Sequence, residues 1–149
     1  MNIATLKTLF QTNDSLAALP LRLVAGTIFM AHGGQKLFSW FGGYGLTGTG
    51  QWMESIGLAP GYLMALLAGS AEFFGGFFIL LGLLTRLSGL ALAVTMLVAI
   101  FSVHFTNGLF MSNNGYEFGL ALFAMSIALV IQGGGQYSID NVLIKKIKE

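Results

Sequence analysis

The chain has no cysteine among its 149 residues. That excludes structural disulfides, thiolate metal ligands, iron–sulfur clusters and a CxxC redox pair. Charge is scarce too: Asp, Glu, Lys and Arg make up 9% of the chain, where soluble domains carry about 25%. The net formal charge of +1 gives no basic field for nucleic acid, and no RNP, zinc-finger or Walker signature is present. Gly42-Gly43-Tyr44-Gly45 and Gly48-Thr49-Gly50 lack the Gly-Lys-Ser/Thr ending of a phosphate loop and read as a flexible lid.

Apolar side chain is what the sequence has in quantity. It is 55% hydrophobic, with a mean hydropathy of +0.77. A domain of this size keeps much of its surface exposed and cannot hide that surplus from water, so a bilayer is the expected solvent. Met1 to Leu19 is too polar for a signal peptide, and the first apolar segment reads as a retained span.

Crossing a bilayer takes roughly 20 apolar residues. Four segments qualify: about 19–38, 61–84, 87–105 and 116–131. The expected fold is an all-α membrane protein, an antiparallel four-transmembrane-helix bundle forming one domain over 1–149. Thr85-Arg86 is read as the only link between the second and third spans. The link from Ser39 to Ala59 is Gly-rich and aromatic, and Gln51 to Leu58 can form a short interfacial helix in it. Trp40, Phe41, Tyr44 and Trp52 suit the headgroup region. Lys7, Arg22, Arg86, Lys145, Lys146 and Lys148 fall on one side of this topology and Lys36 on the other. The positive-inside bias then puts both termini in the cytoplasm and the aromatic loop outside.

Ionisable residues within spans are costly in lipid and tend to face the bundle interior. His32 and Lys36 share a face at i, i+4. Glu72 lies roughly 18 Å below the outer end of the second span by helical rise. His104 and Glu117 sit at the outer ends of the third and fourth spans. Together these five residues outline an outward-opening polar site, with Gln35, Phe73, Gly76 and Tyr116 in its walls. Ala65, Ala68, Gly69 and Gly76 share the Glu72 face and allow close helix packing, inside the bundle or between copies. A lone buried carboxylate is expensive, so Glu72 is expected to be protonated or paired, with His32 or Lys36 as its partner. The bland alternative is that these groups only fix helix register or snorkel to the interface. His32, His104, Glu72 and Glu117 have no HxxxH or HxxE spacing, so no metal is expected. Arg22, Arg86 and Asp140 form a candidate structural cluster on the cytoplasmic side.

These residues carry a resemblance. The first span holds Arg22 and then Phe29-Met30-Ala31-His32-Gly33-Gly34-Gln35-Lys36. The second holds Glu72-Phe73-Phe74-Gly75-Gly76 and Leu80-Leu81-Gly82-Leu83-Leu84-Thr85-Arg86. Asn107-Gly108 and Glu117 flank the last turn, and the close is Gly133-Gly134-Gly135-Gln136-Tyr137-Ser138-Ile139-Asp140. Over about residues 16–142 the chain resembles the DoxX family of bacterial inner-membrane proteins, named from a subunit associated with thiosulfate:quinone oxidoreductase. Gly134 stands where that family often has proline. The resemblance implies a four-helix bundle in the inner membrane and a link to redox or sulfur metabolism. It implies a subunit or organiser of a membrane redox system that binds a hydrophobic ligand such as a quinone. Redox proteins and further copies of the chain are the partners it allows, besides the bilayer. The alternatives are a non-catalytic scaffold or small-molecule and lipid binder, and, more remotely, a proton-coupled transporter, for which inverted repeats and broken helices are lacking.

Overall fold

The computed structural model describes Thr8 and residues 10–148, so Lys7 lies outside the described residues. Among those residues all regular structure is helical. Helix α1 is Ala18–Phe38, with Pro20 in its first turn, where no amide hydrogen is needed. Helix α2 is Gly45–Ser55 and α3 is Gly61–Leu81. Helix α4 is Thr85–Ala99; it runs on through a π turn at Ile100–His104 and a 3-10 turn at Phe105–Asn107. Helix α5 is Glu117–Gln132 and α6 is Ile139–Lys148.

Among the described residues, two helices are long and apolar enough to cross a membrane: Gly61–Leu81 and Thr85–Asn107. Helix α5 is apolar but has 16 residues, and α1 has 21 but includes Arg22 and Lys36. The exterior is apolar: Leu23, Leu66, Leu90, Leu97 and Ile131 are all exposed, as are Phe74, Phe77 and Phe101. So much apolar surface is a cost in water and none in hydrocarbon.

Helices α1 and α3 pack with their backbones almost in contact. A Cβ on Gly33 would lie 2.7 Å from Phe73 Cα and 2.8 Å from Gly69 O, and one on Gly76 would lie 2.7 Å from Met30 N. Small residues at a crossing let dispersion contacts and helix dipoles act at short range. The Gly69 and Gly76 faces are therefore spent inside the chain. Helices α4 and α5 pack through Gly89, where a Cβ would lie 3.0 Å from Ser126 O. Phe29, Leu92, Leu122 and Leu129 fill the core between the pairs.

The link from α3 to α4 differs from the expectation. Helix α3 stops at Leu81 because Gly82 adopts φ +65° and closes a Schellman motif, with Gly82 N–H on Ile79 O and Leu83 N–H on Phe78 O. The turn is thus Gly82 to Leu84, and Thr85-Arg86 already belong to α4. The link from α1 to α3 differs as well. Its glycines serve packing: Gly50 abuts Tyr62, and Glu54 accepts from Gly61 N–H. The segment read as a flexible lid is a docked helix, beginning six residues before the expected one. The C-terminal segment forms α6, which buries Ile144 and ties Asn141 to Asp14 while Lys145 and Lys146 stay exposed.

At the end of the molecule holding the Gly82 turn, Arg22 and Asp140 are buried and fully engaged. Arg22 donates to Ile79 O, Leu80 O, Gly134 O and Tyr137 O at 2.6–2.9 Å. Asp140 accepts from Leu84 N–H and Thr85 N–H at 2.7 and 2.9 Å, capping α4 from a distance. Leu84, at φ +49°, has no side chain able to do so. Arg86 stands apart from both and holds Gln11 O and Ile131 O.

Candidate ligand site

Glu72 sits in the middle of α3 and is only 3% exposed. Lys36, in the last turn of α1, reaches it: Nζ lies 2.6 Å from Glu72 Oε2. The glycines make this reach possible. A Cβ on Gly69 would lie 3.2 Å from Lys36 Cβ and 2.8 Å from Leu37 Cδ2, so Lys36 crosses onto α3 where α3 has no side chain. A buried pair of this kind offsets the desolvation of both ions only through close geometry. Lys36 keeps 23% of its side chain exposed, so its ammonium can still meet a ligand.

The exposed part opens into a cavity of about 930 Å³. Helix α1 supplies Phe29, His32 and Lys36 to its wall, and α3 supplies Met64, Leu67 and Glu72. Trp52 and Met53 come from α2, Thr95 and Met96 from α4, and Phe118 and Leu122 from α5. His104 and Met111 also line it. Most of the lining is apolar, with a few polar groups to orient an occupant, the usual composition of a small-molecule site.

The two histidines differ in their freedom. His104 Nδ1 lies 2.9 Å from Asn114 O. A carbonyl only accepts, so Nδ1 carries the hydrogen, and the neutral ring keeps its lone pair on Nε2. The π turn at Ile100–His104 shifts the register just before this residue; such turns recur at functional sites. His32 has no hydrogen-bond partner among the described residues. Its ring packs against Phe118 with centroids 6.2 Å apart.

The cavity therefore brings together His32, Lys36, Glu72 and His104. Glu117 is not among its lining residues. Its Oε1 accepts from Met111 N–H at 2.6 Å and holds the loop before α5. Gln35, Phe73, Gly76 and Tyr116 are elsewhere too. Gln35 Nε2 lies 3.5 Å from Phe41 O. Phe73 follows Glu72 by one residue, about 100° round the helix, and joins Phe38, Trp40 and Phe74 in an aromatic cluster. Gly76 is consumed by the α1 crossing, and Tyr116 stacks on Phe105 at 5.7 Å. Sequence reasoning did not find Met53, Met64, Met96 and Met111, whose flexible thioethers suit a wall that must adapt to its occupant. Met96 follows Thr95, a polar residue in an aliphatic span, and that pair was the available signal. Among the described residues no group of three or more His, Asp or Glu side chains is placed to hold a metal ion.

A family model described as DoxX matches residues 17–105. The match covers α1 to the π turn, and so Lys36, Glu72 and both histidines. A Bacillus subtilis (strain 168) protein named "Putative oxidoreductase CatD" is 35% identical over 130 residues, 87% of this chain and 89% of its own length. An Escherichia coli (strain K12) protein named "Inner membrane protein YqjF" is 34% identical over 139 residues, 89% of this chain and 96% of its own. An uncharacterized Haemophilus influenzae protein is 32% identical over 133 residues, 85% of this chain and 90% of its own. No solved structure matches. With its family model covering more than half of the chain and relatives matching along nearly their full lengths, the chain belongs to the DoxX family and is a membrane protein.

Proposed function

We propose that this protein is a four-span inner-membrane component of a redox system, and that its cavity binds the headgroup of a quinone. The observation that carries the reading is the Lys36–Glu72 pair in the wall of an otherwise apolar cavity, beside His32 and His104. Two relatives support it by name, one printed as "Putative oxidoreductase CatD" and one as "Inner membrane protein YqjF".

In this reading α1, α3, α4 and α5 are the spans, arranged antiparallel. Arg22 does not oppose the insertion of α1, because backbone carbonyls take its hydrogens. Helix α5 is about 24 Å long by helical rise, short for a span but extended by its flanking turns. Arg22, Arg86, Lys145 and Lys146 mark the cytoplasmic side, with both termini there, and the Lys36 end faces outward.

The residues fit a quinone. Lys36 Nζ and an N–H of the His32 ring are donors for carbonyl oxygens, and Phe29, Phe118 and the methionines offer apolar contact for a flat ring. A bound quinone supplies two-electron, two-proton chemistry. The chain's own part would be to hold the ring and to move protons. Lys36 and His32 would fix the carbonyls, Glu72 would hold the Lys36 ammonium in place, and His104 Nε2 would relay the two protons, one at a time, between the carbonyl oxygens and water. The electrons come from a partner redox protein, since the chain has no thiol of its own to supply them. The same absence favours a second reading, a non-catalytic binder or scaffold.

Extraction of the purified protein and titration with a benzoquinone separate the readings. Bound quinone, with affinity lost on Glu72→Gln, supports the first. Failure to bind quinone, with Glu72→Gln lowering only folding yield, supports the second and ends the first.

A further inference from the structure

The cavity has a side entrance. Near the Gly82 turn α3 and α4 touch, since a Cβ on Gly75 would lie 3.3 Å from Leu92 Cγ. Farther from the turn their facing residues line the cavity instead. Leu67 on α3 and Val94 and Val98 on α4 are lining residues, yet they remain 56%, 53% and 48% exposed. Residues that border a cavity and the exterior at once form the lip of an opening. Leu66, Leu90 and Leu97 beside them are exposed and not part of the lining, so the opening lies within the aliphatic surface that hydrocarbon covers. Between α1 and α5 the lining residues His32 and Phe118 are exposed too, but that side presents an imidazole and a phenyl ring with centroids 6.2 Å apart, so it is polar and aromatic where the α3–α4 side is aliphatic.

We infer that the gap between α3 and α4 is a lateral portal, and that the occupant of the cavity is a membrane-dissolved amphiphile whose isoprenoid tail runs out through it. The lip is wholly aliphatic, while the polar groups come from α1, from the buried face of α3 and from the end of α4. Leu67 lies five residues from Glu72, roughly 8 Å along the helix. A headgroup held by Lys36 therefore has its tail at the lip within a few bonds. The inference rests on the quinone reading and adds the route of entry and the need for a tail.

Trp52 lines the cavity and is one of two tryptophans in the chain. In a Trp40→Phe background its fluorescence reports quenching by a bound quinone. Two probes share one benzoquinone headgroup: one bears a long isoprenoid tail and one has none. Val94→Phe and Val98→Phe are expected to weaken binding of the tailed probe at least tenfold more than that of the tailless probe. Leu90→Phe, equally bulky but off the lip, is expected to change neither. Retained tailless binding also shows that the variants fold. Equal losses for both probes, or no loss for either, would overturn the portal while leaving the quinone site standing. No quenching of the unsubstituted chain by either probe overturns the quinone reading, and the portal with it.

Discussion

Replacing Lys36 with methionine tests whether the ion pair is a coupled unit or two independent residues. The substitution keeps the length of the stem and removes the ammonium, leaving the Glu72 carboxylate 3% exposed and without its 2.6 Å partner. Stranding one member of a buried pair costs about 3–5 kcal/mol. Two features of the site lower that figure. Lys36 is 23% exposed, so water weakens the attraction that is lost. The stranded carboxylate can also take up a proton, which from an ordinary pKa near 4.3 costs about 3.7 kcal/mol at neutral pH and so caps the penalty. A loss of about 2–3 kcal/mol is expected. Glu72→Gln, which strands the ammonium instead, is expected to cost about 1–2 kcal/mol because Lys36 can turn toward the cavity and water. The double variant removes both charges and is expected to recover most of the loss, giving a coupling of about 3 kcal/mol in the double-mutant cycle. Helical circular dichroism during denaturation in mixed micelles gives the four free energies. Additivity within about 0.5 kcal/mol would refute the pair as a coupled unit and leave the cavity without an anchored cation.

Three further outcomes follow from the geometry. Gly33→Ala places a methyl 2.7 Å from Phe73 Cα and 2.8 Å from Gly69 O, both backbone, so α1 and α3 must separate; a net loss of about 1–2 kcal/mol is expected in the same denaturation assay, despite alanine's better helix propensity. Asp140→Ala leaves Leu84 N–H and Thr85 N–H without their acceptor and should cost about 2–3 kcal/mol, with Asp140→Asn, which keeps one acceptor, losing about half as much. Glu117→Gln retains an oxygen for Met111 N–H and should lower stability by no more than about 1 kcal/mol, with quinone quenching of Trp52 unchanged.

The helices were legible as elements because an apolar run is a one-dimensional property, though only Gly61–Leu81 and Thr85–Asn107 among the described residues have the length and apolarity to cross a membrane. The sequence bounds of the first and last spans differ from α1 and α5 by one residue at each helix end that moves. Lys36 as partner of Glu72 was legible for a related reason: charges within apolar segments are few, so candidate pairings are few. The α2 helix was not legible in full. Its glycines signal flexibility to a local reading, and only the approach of Tyr62 to Gly50 shows that they make room for a neighbour. Wall positions next to a charged residue were misplaced for an angular reason. A neighbour in sequence is about 100° away on a helix, so Phe73 belongs to a different surface from Glu72. Glu117 illustrates a further limit. An acidic residue at a helix start serves a cavity or caps a loop with the same local sequence, and here it holds Met111.

The two ends of the molecule divide the work. At the Gly82 end, polar groups meet backbone. Arg22 gathers carbonyls from α3 and from the segment after α5, while Asp140 gathers amides at the start of α4. These bonds fix all four long helices against one another without filling the space between them farther along. The glycine crossing then holds α1 to α3, and the Gly89 contact holds α4 to α5. With both pairs joined at one end, the space between them lies at the other, where the cavity is. A chain with a single small core cannot keep a void of about 930 Å³ open by side-chain packing alone, since a void forfeits contacts on every wall. Buried charges bonded to backbone hold the helices together at the end away from the void, which gives scarce charged residues a structural place far from the proposed chemistry.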